Sequence, residues 1–260
     1  MRQPENVSFS FPKPGKALVG MMVAIGCIWM VLAVSGNWAG ANVGTLAGPF
    51  VGETSKVLDG QIWRLATAAF IHAPNAPGHL ITTLLGLYFL GTPLEDRWGA
   101  RKLLAFLIGS AVFAFALQVV VGALIPSMNT SPWFGGLGMV EAVAVAWALQ
   151  ARGQVVRLFF VLPVTPMLLI GFIFVMSILN VLSRNAPAEG LVTPFGGMLA
   201  GYLFSDGSPL RRFLLQLRLK KIQAQTTALR SRPKSRVGAP PLRIIPGGQK
   251  DPPKDKRYLN

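Results

Sequence analysis

Three uncharged apolar runs constrain this chain more than anything else in it. They cover residues 17–34, 103–125 and 158–182, which is 18, 23 and 25 residues. As a helix, about 20 apolar residues cross the roughly 30 Å hydrocarbon core of a bilayer. The first run is too long, and too poorly followed by a small-residue cleavage site, to read as a signal peptide. The second is interrupted only by Ser110 and Gln118. The third carries Pro163 and Pro166 near its start, which neighbouring helices can accommodate by re-satisfying the freed carbonyls. Charged residues make up 13% of the chain and hydrophobic ones 52%. A soluble domain carries about 25% charge, so a soluble enzyme is excluded.

Three weaker runs, 78–94, 133–149 and 191–204, contain His79, Thr82 and Thr83, then Glu141, then several glycines. Weak spans are usually interior helices shielded by stronger ones. The expectation is an all-α membrane protein, a bundle of six transmembrane helices. Charge tests the orientation. Of 25 Lys and Arg, 14 lie from Arg211 onward, and alternating spans place only Lys56, Arg64 and Arg184 on the outer side. Lys/Arg bias of this kind puts both termini in the cytoplasm, here of a bacterial inner membrane. The net charge of +15 is thus a topology signal, and no nucleic-acid partner is expected.

The organisation expected is a cytoplasmic N-terminus (1–16), a membrane domain (17–204), a basic amphipathic juxtamembrane segment (205–230) and a disordered tail (231–260). In the third, Leu210, Phe213, Leu214, Leu217 and Ile222 recur at helical spacing among basic residues, a pattern suited to anionic lipid. The tail is rich in Pro, Gly and Lys/Arg, with almost nothing to bury. The loop 36–62 is long enough to be functional or to lie on the membrane.

Only Cys27, His72 and His79 are available as thiolate or imidazole ligands, so no disulfide framework, metal site or cofactor is expected. Trp63-Arg64-Leu65, Phe70-Ile71-His72, His79, Gly91, Glu95 and Trp98-Gly99 nevertheless form an ordered set. Phe134-Gly135-Gly136-Leu137-Gly138 and Thr193-Pro194-Phe195-Gly196-Gly197-Met198-Leu199-Ala200-Gly201 follow on later runs. Together these resemble the rhomboid family of intramembrane serine proteases. The middle segment is similar to that family's GxSG nucleophile motif and the last to its A-H-x-G-G-x-x-x-G motif.

The resemblance implies a Ser-His dyad, but Leu137 stands at the serine position and Pro194 at the histidine position. A leucine has no nucleophile and a proline no base. The family's oxyanion side, a histidine and an asparagine one turn later, reads His79 and Thr83 here. His79 could equally be an interior polar residue bonded to a neighbouring helix. Gly135, Gly138 and Glu141 complete the site-facing set. Gly196, Gly197 and Gly201, with Gly138, form small-residue stripes that bring helices together. Trp63 and Arg64 are candidate anchors for the long loop, with an ordinary interfacial tryptophan as the alternative. Glu95 is expected to cap or pair locally, with Arg97 or Arg101.

Glu141, four residues after Leu137, shares its helix face. An acid in hydrocarbon should turn to the old catalytic cavity, neutral or paired, with His79 and then Asn180 as candidate partners, unless it lies near a hydrated interface. The leading functional expectation is a pseudoprotease that binds or chaperones transmembrane segments of other proteins. The alternatives are an active intramembrane serine endopeptidase and a small transporter. The oligomeric state is open.

Overall fold

A computed structural model describes residues 12–151, 153, 156–158, 162–183, 188–206 and 208–231. Most of the expected tail (231–260) and of the N-terminal segment (1–16) therefore lies outside the described residues. The chain divides into two compact units, Met1–Leu215 and Gln216–Asn260.

Helix α1 (Lys16–Asn37) starts where Glu95 accepts from the N–H groups of Ala17 and Leu18 at 3.1 and 3.3 Å. This corrects the local pairing expected of Glu95. A buried carboxylate at a helix N-terminus satisfies orphan donors and meets the positive end of the dipole, while Arg97 goes instead to Gln150. The following loop holds two one-turn helices, α2 (Val43–Ala47) and α3 (Thr54–Leu58), and leads to α4 (Arg64–Thr67).

Helix α5 (Pro77–Gly86), a π-turn (Leu87–Gly91) and α6 (Thr92–Trp98) run on with helical dihedrals at both junctions. The weak run 78–94 is thus part of a continuous helical path that extends past its apolar stretch. Helix α7 (Ala100–Leu124) follows, then α8 (Leu137–Gln150), preceded by an extended segment around Trp133. An antiparallel hairpin, β1 (Val156–Leu158) with β2 (Leu162–Val164), pairs Val156 with Val164. It occupies the start of the third strong run, in a fold that is otherwise helical among the described residues. There the helix α9 (Pro166–Leu182) begins only after Thr165, whose hydroxyl accepts from the Leu168 N–H, with Pro166 in the first turn where no N–H is needed. Helices α10 (Thr193–Phe204) and α11 (Pro209–Ser231) end the described chain.

By length and composition, α1 and α7 are long and apolar enough to cross a membrane, and α8 and α9 are apolar but shorter. Helix α7 is central, packing on α1, α8 and α10. The surface differs from that of a water-soluble fold, and some polar side chains lie inside. Ser110, Gln118 and Thr193 are fully buried, whereas Val31, Leu124, Phe172 and Leu182 are more than 60% exposed. Such a surface suits lipid, where burying apolar area gains nothing and close packing holds helices together. Helix α10 packs in this way. A Cβ on Gly197 would lie 2.9 Å from the Gly138 Cα, and one on Gly201 2.9 Å from the Ala142 Cα. A Cβ on Gly196 would lie 2.7 Å from the Ala114 Cα of α7.

Candidate functional site

The segment Trp133–Gly135, just before α8, is held from three sides. Trp133 exchanges both backbone hydrogen bonds with Gly52 of the long loop (2.8 and 2.9 Å), and its ring stacks on Phe115 at 4.6 Å. The Phe134 N–H donates to the Ala188 carbonyl, and the Gly135 N–H to that of Ala68, each at 2.9 Å. The long loop is itself pinned. Buried Arg64 donates to the carbonyls of Gly48 (2.6 Å) and Val51 (2.5 Å) and to Gln61 Oε1 (2.8 Å), and Trp63 Nε1 donates to the Pro49 carbonyl. A planar guanidinium that saturates several carbonyls fixes an otherwise irregular backbone.

These constraints bring Leu137, the first residue of α8, beside His79 of α5. Between them lies a residue that the sequence reading did not single out, Glu189. Its Oε1 accepts from His79 Nε2 at 2.5 Å and from the Leu137 N–H at 3.3 Å, and its side chain is 1% exposed. Gly135, at φ +126°, makes room for this arrangement. A Cβ there would lie 2.5 Å from Glu189 Oε1 and 2.6 Å from His79 Cε1. The glycine of the motif is kept although no serine follows, because the carboxylate and the imidazole need its space.

The loop carrying Glu189 is equally determined. Gly190, at φ +95°, turns it against Gln118, and a side chain there would clash with the Gln118 amide. Gln118 Oε1 accepts from the Val192 N–H at 2.8 Å, its Nε2 donates to the Met128 carbonyl, and Thr193 Oγ1 donates to the Glu189 carbonyl at 2.7 Å. Pro194 lies buried in the first turn of α10, where its missing N–H leaves no bond unmade.

Thr83 is drawn away from the oxyanion-like role. Its hydroxyl faces His72 Nε2 at 3.1 Å. With the His72 Nδ1–H donating to the Phe70 carbonyl, the Nε2 accepts from the threonine. His72 precedes α5, is fully buried, and its ring centre lies 4.8 Å from that of His79, the planes tilted by 42°. Burial, with the charge of His79 next, lowers its pKa to about 4. On its other side, His72 lines a cavity of about 480 Å³ between the long loop and Phe134.

Glu141 does not pair as expected. The Nε2 of His79 is taken by Glu189, and Glu141 Oε2 is buried without a hydrogen-bond partner, its residue 3% exposed. Its position on the second turn of α8 turns it into the helix packing, which excludes the hydrated-interface alternative as well. Among the described residues, no group of three His, Cys, Asp or Glu side chains is placed to hold a metal ion.

Sequence reasoning missed Glu189 because it lies in an aperiodic loop, 110 residues from His79. The signal that could have found it is an acidic residue followed by glycine, one turn before the Thr193-Pro194 helix start.

A Rhomboid domain matches residues 59–207, which includes α4 to α10 with His79, Leu137 and Glu189. The chain belongs to the rhomboid family, whose members are integral membrane proteins. It is 26% identical over 180 residues to "RHOMBOID-like protein 12, mitochondrial" of Arabidopsis thaliana, covering 65% of this chain and 53% of that protein. It is 31% identical over 126 residues to "Rhomboid protease GlpG" of Salmonella choleraesuis (strain SC-B67), covering 48% of this chain and 41% of that one. The chain thus spans about half the length of these relatives.

Proposed function

We propose that this chain is a non-proteolytic rhomboid that binds transmembrane segments of other membrane proteins, crossing a bacterial cytoplasmic membrane six times with both termini inside. One observation carries the reading. The nucleophile and base positions hold Leu137 and Pro194, and a buried carboxylate occupies the space between Leu137 and His79. Acyl transfer needs a nucleophile with a base in reach and empty donors for the developing oxyanion. Here the nucleophile and base are lacking, and the donors are engaged. What persists is the shaped, membrane-embedded scaffold, with its exposed apolar helix faces.

A photo-crosslinking amino acid at Leu137 should capture membrane-spanning segments in cells. The purified protein should neither cleave a transmembrane reporter nor label with a fluorophosphonate. The absence of crosslinked membrane segments, or cleavage that survives purification, would overturn the reading.

The 2.5 Å bond between His79 and Glu189 favours a second reading, in which this pair activates water for peptide hydrolysis. It requires cleavage that is lost on Glu189→Gln and persists with Leu137→Ala.

A further inference from the structure

The apolar residues of α11 fall on two stripes rather than one. At about 100° per residue, Leu210, Phe213, Leu214 and Leu217 share one side of the helix, and Leu215, Leu219, Ile222 and Leu229 share another about 150° away. Ile222, grouped with the first set by its spacing in the sequence, falls by angle on the second. The stripes also succeed one another along the chain, the first over 210–217 and the second over 215–229.

Positions 215, 219, 222, 226 and 229 alternate steps of 4 and 3. That is the period of a coiled-coil seam, with Leu219 and Thr226 at a and Leu215, Ile222 and Leu229 at d. Leu215, Leu219 and Ile222 are 52, 55 and 58% exposed, so the described residues leave the seam open. Its flanks show what fits it. Gln216 and Gln223 stand at e, Arg218 and Gln225 at g, and all four are exposed. Lys220 and Lys221 fall at b and c, away from the seam and toward the first stripe. Between parallel strands a g residue meets the e residue five positions further on. Arg218 of one copy therefore meets Gln223 of a second, twice across the two-fold axis. The guanidinium donates to the amide oxygen, and no like charges face each other.

We infer that residues 215–229 of α11 pair in parallel with the same residues of a second copy of this chain. Copies held in one membrane with one orientation present these helices side by side and in the same direction. The seam is only about 22 Å long and would be marginal between free helices. Tethering to a common membrane raises the effective concentration and offsets that weakness. The pairing involves neither His79 nor Leu137, and it stands whether or not the protein binds clients.

The test uses the purified full chain in a Cys27→Ser background, reconstituted in phosphatidylcholine vesicles. Thr226→Cys, in the seam, should yield a disulfide-linked dimer on mild oxidation. Ala224→Cys, on the outer side, should yield almost none, because its Cβ atoms lie too far apart. Leu219→Asp should abolish the Thr226→Cys product by placing a charge in the seam. Equal products at 224 and 226, no product at 226 at any protein-to-lipid ratio, or a product untouched by Leu219→Asp would each overturn the pairing. The second of these outcomes would leave the stripe to lipid.

The flanks supply an independent arm, which decides alone should Leu219→Asp unwind α11. Gln223→Glu turns both cross-pairs into ion pairs. It should lower the protein-to-lipid ratio for half-maximal dimer roughly fivefold, the weight of two exposed ion pairs. Gln223→Arg sets like charges face to face and should raise that ratio by about as much. Both differences should shrink in high salt. The same shift in both variants, or none in either, would reject the parallel register.

Discussion

His72 shows how one buried side chain sets a pH window. Its pKa is about 4 in the folded protein and 6.5 in an unfolded chain, so between these values the unfolded state binds more protons. Stability is therefore complete above pH 6.5 and is lost as pH falls toward 4, by up to about 3 kcal/mol. The Tm in detergent should drop over that range, and His72→Asn, which keeps hydrogen-bonding capacity without titrating there, should flatten the slope. An equally steep slope in the variant would assign it to other groups. Glu141 makes the opposite kind of prediction. An unpartnered buried carboxylate oxygen contributes no bond to lose, so Glu141→Met should raise stability by about 1–3 kcal/mol. A fall in Tm would mean that the acid has a partner.

The helices were more legible in the sequence than the site, and the physics of each explains why. Apolar runs reveal α1 and α7 because a bilayer imposes length and composition together. They misplace the ends of α8 and α9, since extended backbone at Trp133 and a hairpin at Val156–Val164 are as apolar as the helices beside them. The stripe of Gly197 and Gly201 was legible because close backbone approach leaves small residues at a fixed spacing. Its geometry yields a test. Gly197→Val would push a branched side chain into the Gly138 backbone and should cost at least about 3 kcal/mol or prevent folding. Gly171→Val, where an added Cβ meets nothing within 4 Å, should be nearly neutral. Equal Tm losses at both positions would show that the stripe does not hold α10 on α8. Glu189 was illegible for the converse reason. A hydrogen bond across 110 residues leaves no period in the chain, and the residue types at Leu137 and Pro194 direct attention to what the motifs lack.

At the scale of the whole molecule, the proposed topology requires exposed apolar residues to face lipid and Lys/Arg to lie mainly on one side. In a Cys27→Ser background, needed because the native thiol is exposed, a cysteine at Ser55 should react with an impermeant reagent in intact cells, and one at Thr226 should not. Labelling at Thr226 alone would invert the topology. The basic helix α11 makes a separate demand. Phe213, Leu214, Leu217 and Ile222 are 47–58% exposed, interleaved with Arg218, Lys220 and Lys221. Leaving such leucines in water is unfavourable, and each basic residue near an anionic leaflet is worth about 1 kcal/mol. The full chain reconstituted in vesicles containing phosphatidylserine should therefore resist trypsin at Arg218, Lys220 and Lys221. In purely zwitterionic vesicles the same bonds should be cut readily. Because surface attraction is screened within a Debye length, protection should weaken as salt rises while the apolar contribution persists. Equal cleavage in both vesicle types, judged only on outward-facing copies, would leave α11 a solvated helix, and protection insensitive to both charge and salt would mean that protein rather than lipid covers it.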